Sequence, residues 1–411
     1  MAAPVPNSQQ EMRRRNLSRV LHTVAREAPV SRATVSAHIG LTRASVSTLV
    51  DELLRARLLV ELGPGRSGGV GRPGTHLAVT DRGPCGLGGE IGVDRLAVCA
   101  VDLRGTVRAR RSVPMANRDS EPAAVLARLG ELVAEVVREA GEAGLRPAGL
   151  ALAAPGLVAR GTTTVVRAPN LGWRDTDVAP LLPLPRGLPL TVDNEANFGA
   201  LAELRLGGNR VVPRDFLHVS AQIGIGGAVV LGGELLRGAR GFAGELGHVP
   251  VRPGGPGCPC GGHGCLELYA GEEAVLRAAG LPYRGTGSRT ALLTERAEGG
   301  DAATLRALGA AGTALGIALA GAVNLLDPLA VVLGGSLARL APWLQPPLER
   351  ELAARTAAPD AVPELLVARA GDEGPLLGAA HSTVRAVLAD PLRYGAGSAH
   401  ADTAAPARPR G

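Results

Sequence analysis

Three of the chain's five cysteines fall within eight residues, in Cys258-Pro259-Cys260-Gly261-Gly262-His263-Gly264-Cys265, and His248 stands ten positions upstream. No other stretch constrains its own fold so tightly. A disulfide here would strand the third cysteine, whereas three thiolates and one imidazole complete a tetrahedral zinc set. The intervening glycines let so short a loop wrap an ion. Four protein ligands leave no open position for water, so the expected Zn2+ is structural and not catalytic. The ligand set is His248, Cys258, Cys260 and Cys265; His263 lies inside the tight loop and reads as a bystander. The chain shows no charged-then-apolar secretory pattern at its start, and clustered thiols in a reducing compartment hold metal more often than they pair. A cytoplasmic location is the expectation.

Charge is the next constraint, once it is located. The 411 residues carry a net charge of +6, with every Lys/Arg position filled by arginine. Residues 1–84 hold 12 arginines against six acids, and the rest of the chain is balanced. A basic segment on a neutral body is the electrostatic footprint of a nucleic-acid-binding head. The absence of lysine beside 57 Gly and 31 Pro suggests a coding bias more than a function. Aromatic residues make up only 2% of the chain, so stacking is not its main recognition device. The twenty uncharged residues Ala307–Leu326 are dominated by Ala and Gly and read as a buried helix of a soluble domain, without a membrane span.

Within the head, Leu17, Val20, Leu21 and Val24 recur at helical spacing and mark a first helix. Pro29 blocks its continuation, Ser31 caps a short second helix, and Gly40 ends it. Thr42 caps a third helix whose inner face is Val46, Leu49, Val50, Leu53 and Leu54. Its leading edge, Thr42, Arg43, Ser45, Ser47 and Thr48, is short or basic and suits close approach to a major groove. Strand-like Leu58–Glu61 and Thr75–Val79 flank a glycine-rich loop that reads as a wing, with Arg66 and Arg72 available to the DNA backbone or minor groove. Residues 1–84 are therefore expected to form a winged helix-turn-helix.

From Leu87 the pattern changes. Leu87–Val93, Leu96–Asp102 and Val107–Ser112 suggest a meander, followed by a helix over Val125–Ala140 and an apolar strand at Leu150–Ala154. Strand and helix patterns keep alternating, so the class is α/β. Residues 85–390 form the expected body, and 391–411, rich in Ala, Pro, Gly and Arg, the expected disordered tail.

Ala243-Gly244-Glu245-Leu246-Gly247-His248, then the cysteine loop ending at Glu267, resemble the ROK family of repressors and sugar kinases. Ala154-Pro155-Gly156, Pro169-Asn170-Leu171-Gly172-Trp173, Asp193-Asn194-Glu195-Ala196-Asn197, Gly224-Ile225-Gly226-Gly227 and Leu333-Gly334-Gly335-Ser336 match in order, from about residue 13 to 385. The resemblance implies a two-lobed, actin-like ATPase fold, dimeric or larger, with a sugar held between the lobes. A basic head on such a body resembles the family's regulators, of the xylose or N-acetylglucosamine type. The sugar-binding groups it implies are Asn170, Asn194, Glu195, Glu245, His248 and Glu267, and His248 can serve zinc with one ring nitrogen and a sugar hydroxyl with the other.

The family's kinases also need glycine-rich turns for phosphate and a general base. Where they resemble Asp-x-Gly-Gly-Thr-Lys, this chain has Glu90-Ile91-Gly92-Val93-Asp94-Arg95. Val93 adds a side chain to a place that wants bare backbone, and Asp94 is read as a negative charge facing phosphate. The second turn keeps Gly224, Gly226 and Gly227 but has Gln222-Ile223 and Ala228 around them, and Glu195 replaces an aspartate base. These departures cluster on phosphoryl transfer and spare sugar recognition. The leading expectation is a regulator without kinase activity that binds double-stranded operator DNA and a monosaccharide or sugar-phosphate effector, as a homodimer or homotetramer. The alternatives are an ATP-dependent sugar kinase carrying a DNA-binding head, and a body that is a zinc-stabilised dimerisation scaffold binding neither sugar nor nucleotide.

Overall fold

The computed structural model describes residues 8–64, 75–206, 212–281, 288–358 and 362–394. The N-terminal region begins with helix α1 (Ser8–Glu27), in which Leu17, Val20, Leu21 and Val24 are fully buried. A two-residue strand β1 (Val30–Ser31) leads into α2 (Arg32–Ile39). Ser31 starts that helix by accepting a hydrogen bond from the Thr34 amide at 3.1 Å. Gly40 ends it at φ 68°, a conformation that costs glycine little. Thr42 then accepts from the Ser45 amide at 3.2 Å and opens α3 (Arg43–Arg55). Strands β2 (Leu59–Pro64) and β3 (Thr75–Val79) pair antiparallel, and β1 joins the far edge of β3 to give the order β1-β3-β2. The pairing of β1 has no counterpart in the sequence reading, because two residues carry no periodicity.

The first lobe is built on the meander β4 (Gly83–Ile91), β5 (Arg95–Asp102) and β6 (Val107–Pro114), with helix α4 (Pro122–Glu142) on one face. Strand β7 (Leu145–Ala154) runs parallel to β4. Strands β8 (Leu157–Val158), β9 (Thr164–Ala168) and β10 (Trp173–Asp177) form a small antiparallel sheet beside the same core. Strand β11 (Leu190–Asn194) then pairs parallel with β7, completing the order β11-β7-β4-β5-β6.

Helix α5 (Glu195–Leu206) crosses to the second lobe. There β12 (Phe216–Ala221), β13 (Ile225–Leu231) and β14 (Glu234–Leu235) make the antiparallel part of a sheet. After α6 (Glu267–Ala270), α7 (Glu272–Ala278), α8 (Arg289–Glu298) and α9 (Ala302–Leu326), strand β15 (Ala330–Gly335) pairs parallel with β12. Helix α10 (Ser336–Arg355) precedes β16 (Glu364–Val367), which pairs parallel with β15. The order β14-β13-β12-β15-β16 repeats that of the first sheet read from β6 to β11, with the same two antiparallel and two parallel pairings. The body is thus one α/β unit used twice, with the chain crossing between the copies at α5. Helix α9 is long and apolar enough to span a membrane by length and composition, but Leu308, Leu315 and Leu319 are fully buried in the second core.

Helix α11 (Gly374–Ala389) returns to the first sheet, and α12 (Pro391–Tyr394) ends the described chain. The expected disordered tail therefore begins with a helical turn; its remainder, 395–411, lies outside the described residues. A Cβ on Gly88 would meet the Leu376 carbonyl at 2.3 Å, so α11 sits in backbone contact with β4. Its outer side joins α1, α3 and β5 in one apolar cluster with Leu17, Leu21, Leu53, Leu376 and Val387. Burying each such side chain stabilises by roughly 1.5–3 kcal/mol. Head and body share this core across the 84/85 boundary drawn from sequence, and β4 itself starts at Gly83.

Candidate ligand cleft and metal loop

The cysteine loop lies between β14 and α6. Gly264, at φ 65°, turns the chain so closely that a Cβ there would lie 1.7 Å from the Arg252 carbonyl oxygen. The amide of Cys258 donates to Gly262 O at 2.8 Å, which folds the loop back on itself. His248, Cys258, Cys260 and Cys265 each present one ligand atom, all within 4.8 Å of one another. Zinc–sulfur bonds of ~2.3 Å at a tetrahedral angle put two sulfurs about 3.8 Å apart. The Cys260 and Cys265 sulfurs are 3.7 Å apart, and Cys258 Sγ is 3.8 Å from His248 Nδ1. The donor set fits a tetrahedral ion, and the exposed His263 lies outside it. Cys85 and Cys99 are buried in the first sheet, where burial pushes both thiols up to about 12 and leaves them protonated.

The imidazole joins this loop to the cleft. Its Nδ1 faces the sulfurs, and its Nε2 lies 3.9 Å from the Glu245 carboxylate. Glu267, the first residue of α6, places Oε1 3.6 Å from Nδ1 and 3.1 Å from Cys258 Sγ. A Cβ on Gly224 would lie 2.9 Å from Glu267 Oε2 and 3.5 Å from Asn170 Nδ2, so groups from both lobes converge on this turn. Glu195 opens α5, and its Oε2 is buried without a hydrogen-bond partner among the described residues. Burial, with Glu90 and Glu245 nearby and Arg95 opposing, pushes its carboxyl up to about 8. Burial also raises Glu245, against the pull of His248 and with the push of Glu267. Asn194 behaves differently from the rest. Its Nδ2 donates to Gly156 O at 2.7 Å and its Oδ1 accepts from the Ala196 amide at 2.7 Å, so much of its amide is engaged by backbone.

At the other end of the cleft is a cavity of about 510 Å³ lined by Gly92, Val93, Asp94, Arg95, Gln222 and Arg289, among others. Glu90 is fully buried and accepts from Arg95 Nη2 at 2.8 and 2.9 Å. The same nitrogen donates to the Asp372 carbonyl at 2.9 Å. Asp94 departs from its sequence reading as a bare charge facing phosphate: its carboxylate is paired across the cleft with Arg289 of α8, at 2.6 Å. Glu272 accepts from the Thr290 hydroxyl at 2.5 Å. The glycine run is partly spent on packing, since Gly226 and Gly227 lie within β13 and a Cβ on Gly227 would meet Gly244 O at 2.4 Å. Arg289 and Asp372 were missed from sequence; nothing local links residues 195 positions apart, as Asp94 and Arg289 are.

On the head, Thr42, Arg43, Ser45 and Thr48 are exposed along the start of α3, whereas Ser47 is half-buried. Asp51 and Glu52 follow on the same helix, paired with Arg32 at 3.0 Å and Arg13 at 2.8 Å. Arg66 and Arg72 lie outside the described residues.

The profile of the ROK family matches residues 87–385. The chain is 29% identical over 340 residues to the xylose repressor of Bacillus spizizenii, covering 83% of this chain and 87% of that one. The crystal structure of a ROK family transcriptional regulator, a homolog of the E. coli MLC protein, superposes with a TM-score of 0.76 at 27% identity over 93% of this chain and 98% of that one. A ROK family glucokinase from Streptomyces griseus, in complex with glucose and AMPPNP, gives a TM-score of 0.62 at 27% identity, covering 72% of this chain and 98% of that one.

Proposed function

This chain belongs to the ROK family, and from that premise we propose that it is a sugar-responsive transcriptional repressor whose kinase-like cleft senses its effector without phosphorylating it. The observation that carries the reading is the state of the polar groups in the cleft. Glu195 holds a buried, unpartnered oxygen near Glu245, Glu245 and Glu267 face His248, and Asn170 meets Glu267 at Gly224, an arrangement that suits ring hydroxyls able to donate and accept. Glu90 and Asp94, where kinases of the family cradle phosphate, are already paired to Arg95 and Arg289. A carboxyl pushed up to about 8 is largely protonated at neutral pH. In that form it can donate a hydrogen bond to a sugar hydroxyl.

The N-terminal region supplies the other half. Its helix, tight turn and second helix with an exposed Thr42-Arg43-x-Ser45 edge, backed by a β-ribbon, are read as a winged helix-turn-helix. Two such heads in a homodimer or homotetramer would take successive major grooves of a near-palindromic operator. The similarity to a xylose repressor over most of both chains supports this reading and a cytoplasmic site of action. A monosaccharide or sugar phosphate would favour one closure of the lobes and so re-space the heads, with a coupling of about 1–3 kcal/mol. His248, Cys258, Cys260 and Cys265 would hold Zn2+ as a structural anchor, and the His248 ring, fixed through Nδ1, would present its Nε2 toward Glu245.

The test is a thermal-shift screen of free and phosphorylated monosaccharides, followed by release of the protein from DNA upstream of its own gene. Arg43→Ala is expected to abolish operator binding and leave the sugar shift intact. Loss of the shift in that variant would contradict the assignment of roles to the two regions.

A further inference from the structure

The two lobes are also joined through the metal loop, by a residue that ligates nothing. Arg167 lies on β9, in the small sheet of the first lobe, opposite Leu157 of β8. Its guanidinium reaches into the second lobe, where Nη1 donates to Cys260 O at 3.2 Å and Nη2 to Pro259 O at 2.5 Å. Both carbonyls belong to the Cys258-Pro259-Cys260 turn, which carries two of the four metal ligands. A planar fork finds two acceptors at once only if they keep one spacing, so the shape of the loop decides whether the grip is complete. Among the described residues the Nε of Arg167 is buried with no partner, and the side chain's polar engagement there rests on these two contacts.

The backbone behind that side chain is part of the ligand wall. A Cβ on Gly156 would lie 2.2 Å from Arg167 O, so the two segments are in direct contact. Gly156 O in turn accepts from Asn194 Nδ2, next to Glu195 at the start of α5. Asn170 follows Arg167 by three residues. We propose that Arg167 is a positioning residue that makes effector binding depend on the metal loop, by carrying the loop's shape across the cleft to Asn170 and Glu195. The proposal rests on reading the cleft as a sugar site. Linkage makes the effect reciprocal: a sugar that closes the lobes over the loop must slow loss of the metal.

The experiment uses zinc-loaded full-length protein, with Arg167→Gln and Arg167→Lys. Zinc transfer to a chromogenic chelator is timed without sugar and with an excess of D-xylose or D-glucose, whichever raises the wild-type Tm. Arg167→Gln is expected to release zinc about tenfold faster than wild type, as loss of a hydrogen bond behind a ligand does elsewhere. Arg167→Lys should fall between, because an ammonium has no fork to span both carbonyls. Sugar should slow release from wild type by about fivefold or more and leave release from Arg167→Gln unchanged. Wild-type release from the sugar-free variants, or full sugar protection in Arg167→Gln, overturns the proposal. If the glutamine variant does not fold, the lysine variant decides on the same two criteria. If neither sugar shifts the wild-type Tm or its zinc release, the sugar reading is at fault, and Arg167 is judged on sugar-free release alone.

Discussion

The two ends of the cleft are lined with similar side chains in opposite states. Between the ends, Glu195 Oε2 has no partner among the described residues, and at the metal-loop end His248 stands 3.6 and 3.9 Å from Glu267 and Glu245, beyond hydrogen-bond length. At the other end Glu90 is held by Arg95, Asp94 by Arg289 and Glu272 by Thr290. A buried polar group without a partner costs free energy until something fills the gap, whereas a paired one must lose its partner before it can bind anything else. The difference separates an end whose polar groups are still unengaged from one whose carboxylates are already paired, although a cavity of about 510 Å³ remains beside them.

The contrast is sharpest when broken one end at a time. Glu245→Gln should weaken binding of the effector sugar by roughly 10- to 100-fold, the range for losing a hydrogen bond to a charged group, measured by titration calorimetry. An unchanged affinity would remove Glu245 from the site. The intermediate effect is on pH. Glu195 has a folded pKa raised to about 8 from 4.5, so the native state keeps a proton that the unfolded chain has lost between those values. Its contribution to stability is full below pH 4.5 and disappears as pH rises through 8. Glu195→Gln should therefore flatten the decline of Tm across this window and melt higher than wild type at pH 8.5; parallel curves would contradict the raised pKa. The smallest effect is expected at the end whose carboxylates are paired. Asp94→Ser breaks an exposed ion pair worth about 1 kcal/mol or less, so sugar affinity should change by under about fivefold. ATP binding should not appear, since Glu90–Arg95 still occupies the turn. Binding of magnesium-ATP by that variant would make Asp94 alone the barrier.

What was legible in the sequence is what acts locally. Ser31, Gly40 and Thr42 bound their helices through bonds to residues three or four positions away, and the reading of those helices agrees with the structure. The metal loop announced itself in the same way, with His248 only ten residues from Cys258. The cross-cleft contacts were invisible, because Arg167 meets the metal loop 92 and 93 residues later and Arg289 meets Asp94 195 residues earlier. The repeat of the two sheets was equally hidden, since it is a repeat of strand order and not of residues. Asn194 is the case where a motif match needed the structure beside it, because both its amide groups hold backbone at the start of α5. The shared core of head and body also escaped, as Leu17 and Val387 stand at opposite ends of the chain.

The most direct measurement is ATP turnover by the purified full-length protein with magnesium and a panel of monosaccharides, including any sugar that raises its Tm. No sugar-dependent turnover above background is the result expected from Glu90 and Asp94 being held by Arg95 and Arg289 where phosphate would bind. Turnover at about 1 s⁻¹ or faster with any sugar, a rate ordinary for an enzyme, would show that the cleft still transfers phosphate.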